Sequence, residues 1–369
     1  MANGDQADAP AILALTPAIG WLLREGAFAS GPATLLGGLA DRLVAEGLPL
    51  AQATLSVASL DPLLAGSDFQ WRRETGRVVE APRFHGAAAL MPAESVAGLA
   101  LDVAGTGHRL TLAPADGAAF DEVSGARLTD LVLALAAPLQ AVVGRATTQS
   151  LLQAYLGRRS AGRVLAGAAR RGTGEVIEAV IWLSDLRDFT ALSERLPADQ
   201  VIAALNDSCS RLVGAIQPLG GEVLKFIGDG LLAIFPLSER GAAAATAAAL
   251  AALRAARAGM ARLDEERSLS GLPALPFGVA LHVGAVMYGN IGAPDRLDFT
   301  AIGPAVNLAS RVESLCRPLG CPALISADFA GHCSEALIPL GRHTLRGVAE
   351  PVELFTLPEL AAMNTPAPP

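Results

Sequence analysis

The sequence predicts an α+β chain, and two observations carry that reading. From Glu178 onward, apolar strand-like runs and helix-period runs follow one another in the order β-α-β-β-α-β. That order is the split βαβ, or ferredoxin-like, arrangement. Ahead of it, helical spacing gives way to several alternating runs and then to a long helix, so a second mixed unit precedes the first. The 369 residues suffice for two or three domains at roughly 100–200 residues each. A hydrophobic share of 51 % supplies a core, though much of it is alanine, which buries little area per residue.

Taken in order, residues 1–10 and 364–369 read as frayed tails. LLGGLADRLVAEGLPL has helical spacing, while QATLSVASLD, FQWRRETGRVV and HRLTLAPA read as strands. FDEVSGARLTDLVLALAAPLQAVVGRAT has apolar residues at helical spacing and acids near its start, which marks a helix. Helix, strands and exit helix in this order resemble a GAF-type sensor domain, placed at residues 1–125. The basic, small-residue-rich stretch 151–174 ends a helical connector assigned to 126–174. A second domain is assigned to 175–360. It opens with the buried-type strand EAVIWLSDL. Helix follows over Thr190–Gln217, broken at Pro197 and ended by Pro218 and Gly220–Gly221. Next come the hairpin EVLKFIGDGLLAIF and an alanine-rich helix near 239–265. FGVALHVGAVMYGNIG reads as a strand pair, DFTAIG as a strand and PAVNLASRVESLC as a helix. PALIS, ALIPLGRHTLRG and PVELFTL close the chain as strands.

Composition excludes several functions. The net charge is −8 and no long block of Lys or Arg appears, which argues against gripping nucleic acid. A small polyanion such as a nucleoside triphosphate stays compatible, because a few local cations or a metal suffice. Cys209, Cys316, Cys321 and Cys333 read as reduced structural thiols, since the Cys316/Cys321 pair lacks two further spaced ligands for zinc. The N-terminus lacks a secretory profile. The longest apolar runs, Leu131–Gly144 (broken by Pro138 and Gln140) and Gly241–Leu253, fall short of the ~18 residues of a membrane span. The expectation is a soluble, cytoplasmic protein without a membrane span. No histidine pair has metal-ligand spacing, and His282 reads as a satisfied core residue. The three tryptophans are too scattered for a base-stacking platform.

The placement of acids is informative. Asp185 ends a buried-type strand, and Asp229 sits at the tip of the hairpin. If the first strand neighbours the hairpin's first strand, the two carboxylates converge. Two carboxylates at one point repel unless a cation lies between them. Mg²⁺ and Mn²⁺ take oxygen ligands and keep open positions for water and phosphate. The glycines beside Asp229 allow close backbone approach. Each aspartate alone is equally consistent with an ordinary turn or strand-end residue.

Three longer blocks go further. IWLSDLRDFTALSE, LKFIGDGLLAIF and GNIGAPDRLDFTAIGPAVNLASRVE resemble, in order, the signature blocks of class III nucleotide cyclases, over roughly residues 178–357. The resemblance implies that Asp185 and Asp229, with the backbone carbonyl of Leu186, bind two Mg²⁺ or Mn²⁺ ions. It implies that Asn307 and Arg311 orient the ribose and stabilise the transition state. Their i, i+4 spacing puts both on one helix face. Lys225 and Thr300 match the base-reading pair of the members that use ATP, where lysine donates to adenine N1 and threonine accepts from the exocyclic amine. Arg346 lies near a triphosphate-binding cation of the family. Asp298 reads as the surface partner of Arg296. Asp188 departs from the glycine common in relatives. The implied reaction is attack of the ribose 3′-oxygen on the α-phosphorus of ATP, giving cyclic AMP and pyrophosphate in a head-to-tail homodimer. The alternatives are a guanylate cyclase and a catalytically inactive cyclase-like dimerisation module. A cyclic dinucleotide synthase would show a GGDEF-type signature, which is absent. For residues 1–125 the sequence names no ligand; a sensor acting through the connector and a constitutive dimerisation domain both fit.

Overall fold

In the computed structural model, the described residues are 16–58, 64–85, 99–103, 105–115, 120–167, 170 and 172–361. The tails read at 1–10 and 364–369 lie outside them. The chain divides into two compact units between Tyr155 and Leu156.

The N-terminal unit opens with α1 (Pro17–Arg24), which the sequence reading passed over. Pro17 starts it, and the Thr16 hydroxyl caps it by accepting from the Ile19 N–H at 3.3 Å. There follow α2 (Pro32–Ala45), β1 (Leu50–Ala58), β2 (Leu64–Arg72), β3 (Arg77–Phe84), β4 (Leu99–Val103), β5 (His108–Pro114) and α3 (Glu122–Leu156). The strands form one antiparallel sheet in the order β3-β2-β1-β5-β4. FQWRRETGRVV, read as one strand, is the end of one and the start of the next, turning at Gly76 with φ +62°. Leu128, Leu131, Leu135, Leu139 and Val142 of α3 pack into the core with Leu39 and Leu110. The first half of the stretch read as connector therefore belongs to this core. The GAF-like reading rests on element order and gains nothing further here. One segment of the described residues, Arg127–Leu156, is long and apolar enough to cross a membrane by length and composition. Pro138 sits inside this continuous helix, as the helical spacing of 120–147 predicts, and Leu128, Leu131, Leu135 and Leu139 pack it as a core helix.

The C-terminal unit contains α4 (Arg158–Leu165), β6 (Gly174–Leu186), α5 (Phe189–Ser193), α6 (Ala198–Ile216), β7 (Glu222–Ile227) and β8 (Gly230–Pro236). It continues with α7 (Leu237–Arg240), α8 (Ala242–Leu269), β9 (Phe277–Ala293), β10 (Arg296–Ile302), α9 (Pro304–Ser314) and β11 (Ala323–Ser326). It ends with α10 (Ala327–Ala330), β12 (Ile338–His343), β13 (Val352–Thr356) and α11 (Pro358–Ala361). The sheet order is β12-β13-β11-β9-β6-β8-β7, with β10 pairing β9. Its four strands β9-β6-β8-β7 are the ferredoxin-like set expected from the element order. Both faces are buried, which explains the near-continuous apolar runs. Val180 and Trp182 of β6 pack with α6 and α8, whereas Ala179 and Ile181 pack with Phe299 and Ala309 on the opposite face.

Two expectations are corrected. FGVALHVGAVMYGNIG is one 17-residue strand, not a pair. Its glycines serve close approach rather than turning: a Cβ at Gly284 would lie 2.7 Å from the Ala305 Cβ, and one at Gly289 2.3 Å from the Thr173 carbonyl oxygen. The neighbour of β6 is β8, the hairpin's second strand, not β7. The right-handed return from β6 through α6 leaves one strand space, and the hairpin fills it.

Candidate active site

The site forms where β6 ends. Ser184 pairs with Leu231 and Asp185 with Gly278, so Asp185 leaves the sheet with Gly230 on one side and Gly278 on the other. Neither glycine is replaceable without movement. A Cβ at Gly230 would lie 2.9 Å from Asp185 Oδ1, and one at Gly278 2.7 Å from Glu313 Oε1. The β7–β8 turn is the two-residue loop Gly228-Asp229, with Gly228 at φ +62°. A glycine at the first central position is what the twist of such a hairpin favours. The turn brings Asp229 onto the cleft that Asp185 lines, close enough for the two carboxylates to repel.

The electrostatics follow from this approach. Burial and then the Asp229 carboxylate push the Asp185 carboxyl up to about 6. Glu313 on α9 is pushed up to about 7 by burial, with the charges of Asp185 and Asp229 adding and Arg187 opposing. These groups line a cleft of about 600 Å³ together with Leu186, Asp188 and Arg317. Asp188, in the left-handed region at φ 55°, turns its carboxylate to Arg317 at 3.0 Å, away from the aspartate pair.

Among the described residues no cluster of three or more His, Cys, Asp or Glu side chains is assembled for a metal. Two carboxylates held against their repulsion, with the Leu186 carbonyl beside them, nevertheless fit a hard divalent cation that keeps water and phosphate in its remaining positions.

Asn307 and Arg311 lie on α9 outside that cleft. At 100° per residue, Glu313 is turned about 120° around the helix from Asn307, so α9 presents two chemistries on two faces. Asn307 is exposed and Arg311 half-buried, with the Arg311 guanidinium over Gly347. Arg346 is exposed beside that glycine. Lys225 on β7 pairs with Asp298 on β10, Nζ to Oδ2 at 3.3 Å. This corrects the pairing of Asp298 with Arg296, because β10 lies beside the β7 edge across the sheet face. Two residues on and on the same face, Thr300 is 3 % exposed and its hydroxyl has no partner. The sequence reading missed Glu313 and Gly278; Glu313 follows Arg311 by two residues, which was the available signal. His282 is buried, with Nδ1 2.8 Å from the Ser326 hydroxyl, as expected.

Residues 174–320 match the adenylate and guanylate cyclase catalytic domain family. The C-terminal domain is a member of that family. The cyclase domain is 33 % identical over 167 residues to an adenylate cyclase of Anabaena cylindrica, covering 44 % of this chain and 32 % of that protein. It is 38 % identical over 139 residues to a terminal-differentiation-specific adenylate cyclase of Dictyostelium discoideum, covering 37 % of this chain and 6 % of that one. The chain thus spans about a third or less of these relatives. A solved bacterial light-regulated adenylyl cyclase superimposes with a TM-score of 0.51 at 23 % identity, covering 71 % of this chain and 85 % of that one. That likeness bears on the fold.

Proposed function

We propose that the cyclase domain converts ATP into 3′,5′-cyclic AMP and pyrophosphate in a head-to-tail homodimer with two composite sites. The observation that carries this reading is the convergence of Asp185, Leu186 and Asp229 on one cleft at the end of the central strand. Asp185, Asp229 and the Leu186 carbonyl hold Mg²⁺ or Mn²⁺, two ions per site. When bound, such ions neutralise the triphosphate and lower the pKa of the ribose 3′-hydroxyl.

Lys225 donates to adenine N1, and the Thr300 hydroxyl accepts from the exocyclic amine. Its lack of a protein partner supports that role. Asn307 orients the ribose, and the Arg311 guanidinium meets charge developing on the phosphate oxygens. Arg346 contacts the triphosphate. Asn307 and Arg311 stand outside the cleft of their own aspartates, so each pair serves the site completed by the other subunit. Residues 1–125 regulate this assembly through α3, whose first half packs in their core and which leads into the cyclase domain, and the reaction takes place in the cytoplasm.

The test is purified full-length chain incubated with Mn²⁺ and either ATP or GTP, with products separated by chromatography. Cyclic AMP in excess is expected. Cyclic GMP in excess moves the assignment to a guanylate cyclase, and no cyclic product moves it to an inactive dimerisation module.

A further inference from the structure

A second acid of the hairpin stands apart from the aspartate pair. Glu222, the first residue of β7, is only 9 % exposed. Its Oε1 accepts from the Ser160 N–H and from the Ser160 hydroxyl, each at 3.0 Å. The Tyr288 hydroxyl lies 3.1 Å from both carboxylate oxygens and 3.0 Å from the Ser160 hydroxyl. Ser160 and Tyr288 are fully buried, and Arg159 Nε stands 3.9 Å from Oε2. Four groups from α4 and β9 thus close on one carboxylate of β7.

This arrangement does for α4 what its own cap does not. Gly157 is the N-cap, at φ +80° with no side chain to accept from the third helical N–H, that of Ser160. A Cβ at Gly157 would lie 3.2 Å from the Val223 carbonyl oxygen, so the glycine also lets α4 start hard against β7. The cap comes instead from Glu222, 62 residues away. Three residues after Glu222 comes Lys225, and the turn after that carries Asp229. The β7–β8 register shifts between Val223 and Lys225, which takes Leu224 out of the ladder just before Lys225. Gly157 is also the single residue joining α4 to α3.

We propose that Glu222 is a positioning residue: it latches the first helix of the cyclase domain to β7 and thereby fixes the hairpin that presents Lys225 and Asp229. The roles of those two residues rest on the function proposed above; the latch does not. Burial raises the Glu222 carboxyl while its Ser160 and Tyr288 donors and Arg159 hold it down. Burial and the neighbouring acid push the Tyr288 phenol upward, so it stays a donor.

The test uses full-length Glu222→Ala, Glu222→Gln and Tyr288→Phe, read by amide hydrogen exchange and steady-state kinetics. Glu222→Ala should speed exchange in peptides covering 158–165 and 222–230 by about tenfold or more, leaving β11 and β13 as in wild type. It should lower kcat on the order of 10- to 100-fold, as misplaced reacting groups do. Glu222→Gln keeps an acceptor for the Ser160 N–H and should recover most of the protection and rate. Folded Glu222→Ala with wild-type exchange in the hairpin overturns the proposal, as does a Gln variant no better than Ala. If Glu222→Ala does not fold, Tyr288→Phe decides: faster exchange confined to the same peptides supports the latch, and unchanged exchange refutes it. Because exchange needs no product, a wild-type chain that forms no cyclic nucleotide defeats the functional reading and leaves the latch test intact.

Discussion

In the N-terminal unit Asp68 lies 3.6 Å from Arg83 and Asp102 2.9 Å from Arg109, whereas in the C-terminal unit Asp185 lies against a second carboxylate, with Glu313 near. The first arrangement neutralises charge where it stands. The second keeps acids together against desolvation and repulsion, which costs stability unless something else gains by it. Sites where local electrostatics disagree with folding are where chemistry is expected. Two threonines show a similar contrast. Thr300 leaves a buried hydroxyl without a partner, while the Thr16 hydroxyl caps a helix.

The contrast breaks most sharply at Asp229. Asp229→Asn should lower cyclic nucleotide formation by about 10³-fold. The melting temperature should hold or rise, because the repulsion on Asp185 is gone. A variant that loses activity only by unfolding would show that the acid pair is structural.

Thr300→Val tests the second contrast. With no protein hydrogen bond to lose, the variant should melt no lower than wild type. Its preference for ATP over GTP, measured as the ratio of kcat/KM values, should fall by about tenfold. Unchanged selectivity would remove Thr300 from the base-reading pair.

How much of this was legible depends on the range of the contact. The hairpin, its Gly-Asp-Gly tip and the helix carrying Asn307 and Arg311 are local patterns, and the sequence displays them. The pairing of Lys225 with Asp298 spans 73 residues. That of Ser160 with Tyr288 spans 128, and periodicity carries no information at such range. Glycines misled for a physical reason. Gly284 and Gly289 look like turn residues, yet they are small because Ala305 and Thr173 press on them. Pro138 did not mislead: the apolar spacing on both sides of it outweighed its breaking tendency in the sequence, as tertiary packing of α3 does in the fold.

Smaller effects sharpen the comparison. For Glu222 the folded carboxyl is raised above its ordinary value of 4.5. The folded state then binds its proton more tightly than the unfolded chain does, so stability of the C-terminal unit falls as pH rises from 4.5 through the raised value. Asp185 contributes a fall of the same sign between 3.8 and about 6. Tyr288 on β9 faces Glu222 and, its phenol pushed upward by burial and by that acid, keeps its proton throughout that window. Glu222→Gln should flatten part of the melting-versus-pH slope; an unchanged slope would show that Glu222 titrates alike folded and unfolded. The smallest effect belongs to Asp102→Ala. Its ion pair is exposed, so the cost should stay within about 0.5 kcal/mol by denaturant unfolding.

The central claim is that acids of one chain work with Asn307 and Arg311 of another. Asp229→Ala and Arg311→Ala proteins, each inactive alone, are mixed one to one and allowed to exchange subunits. Half of the dimers are then mixed, and each holds one intact site of two, so about a quarter of wild-type activity should return. Subunit exchange verified by a tag on one variant, with no activity regained, would contradict the account.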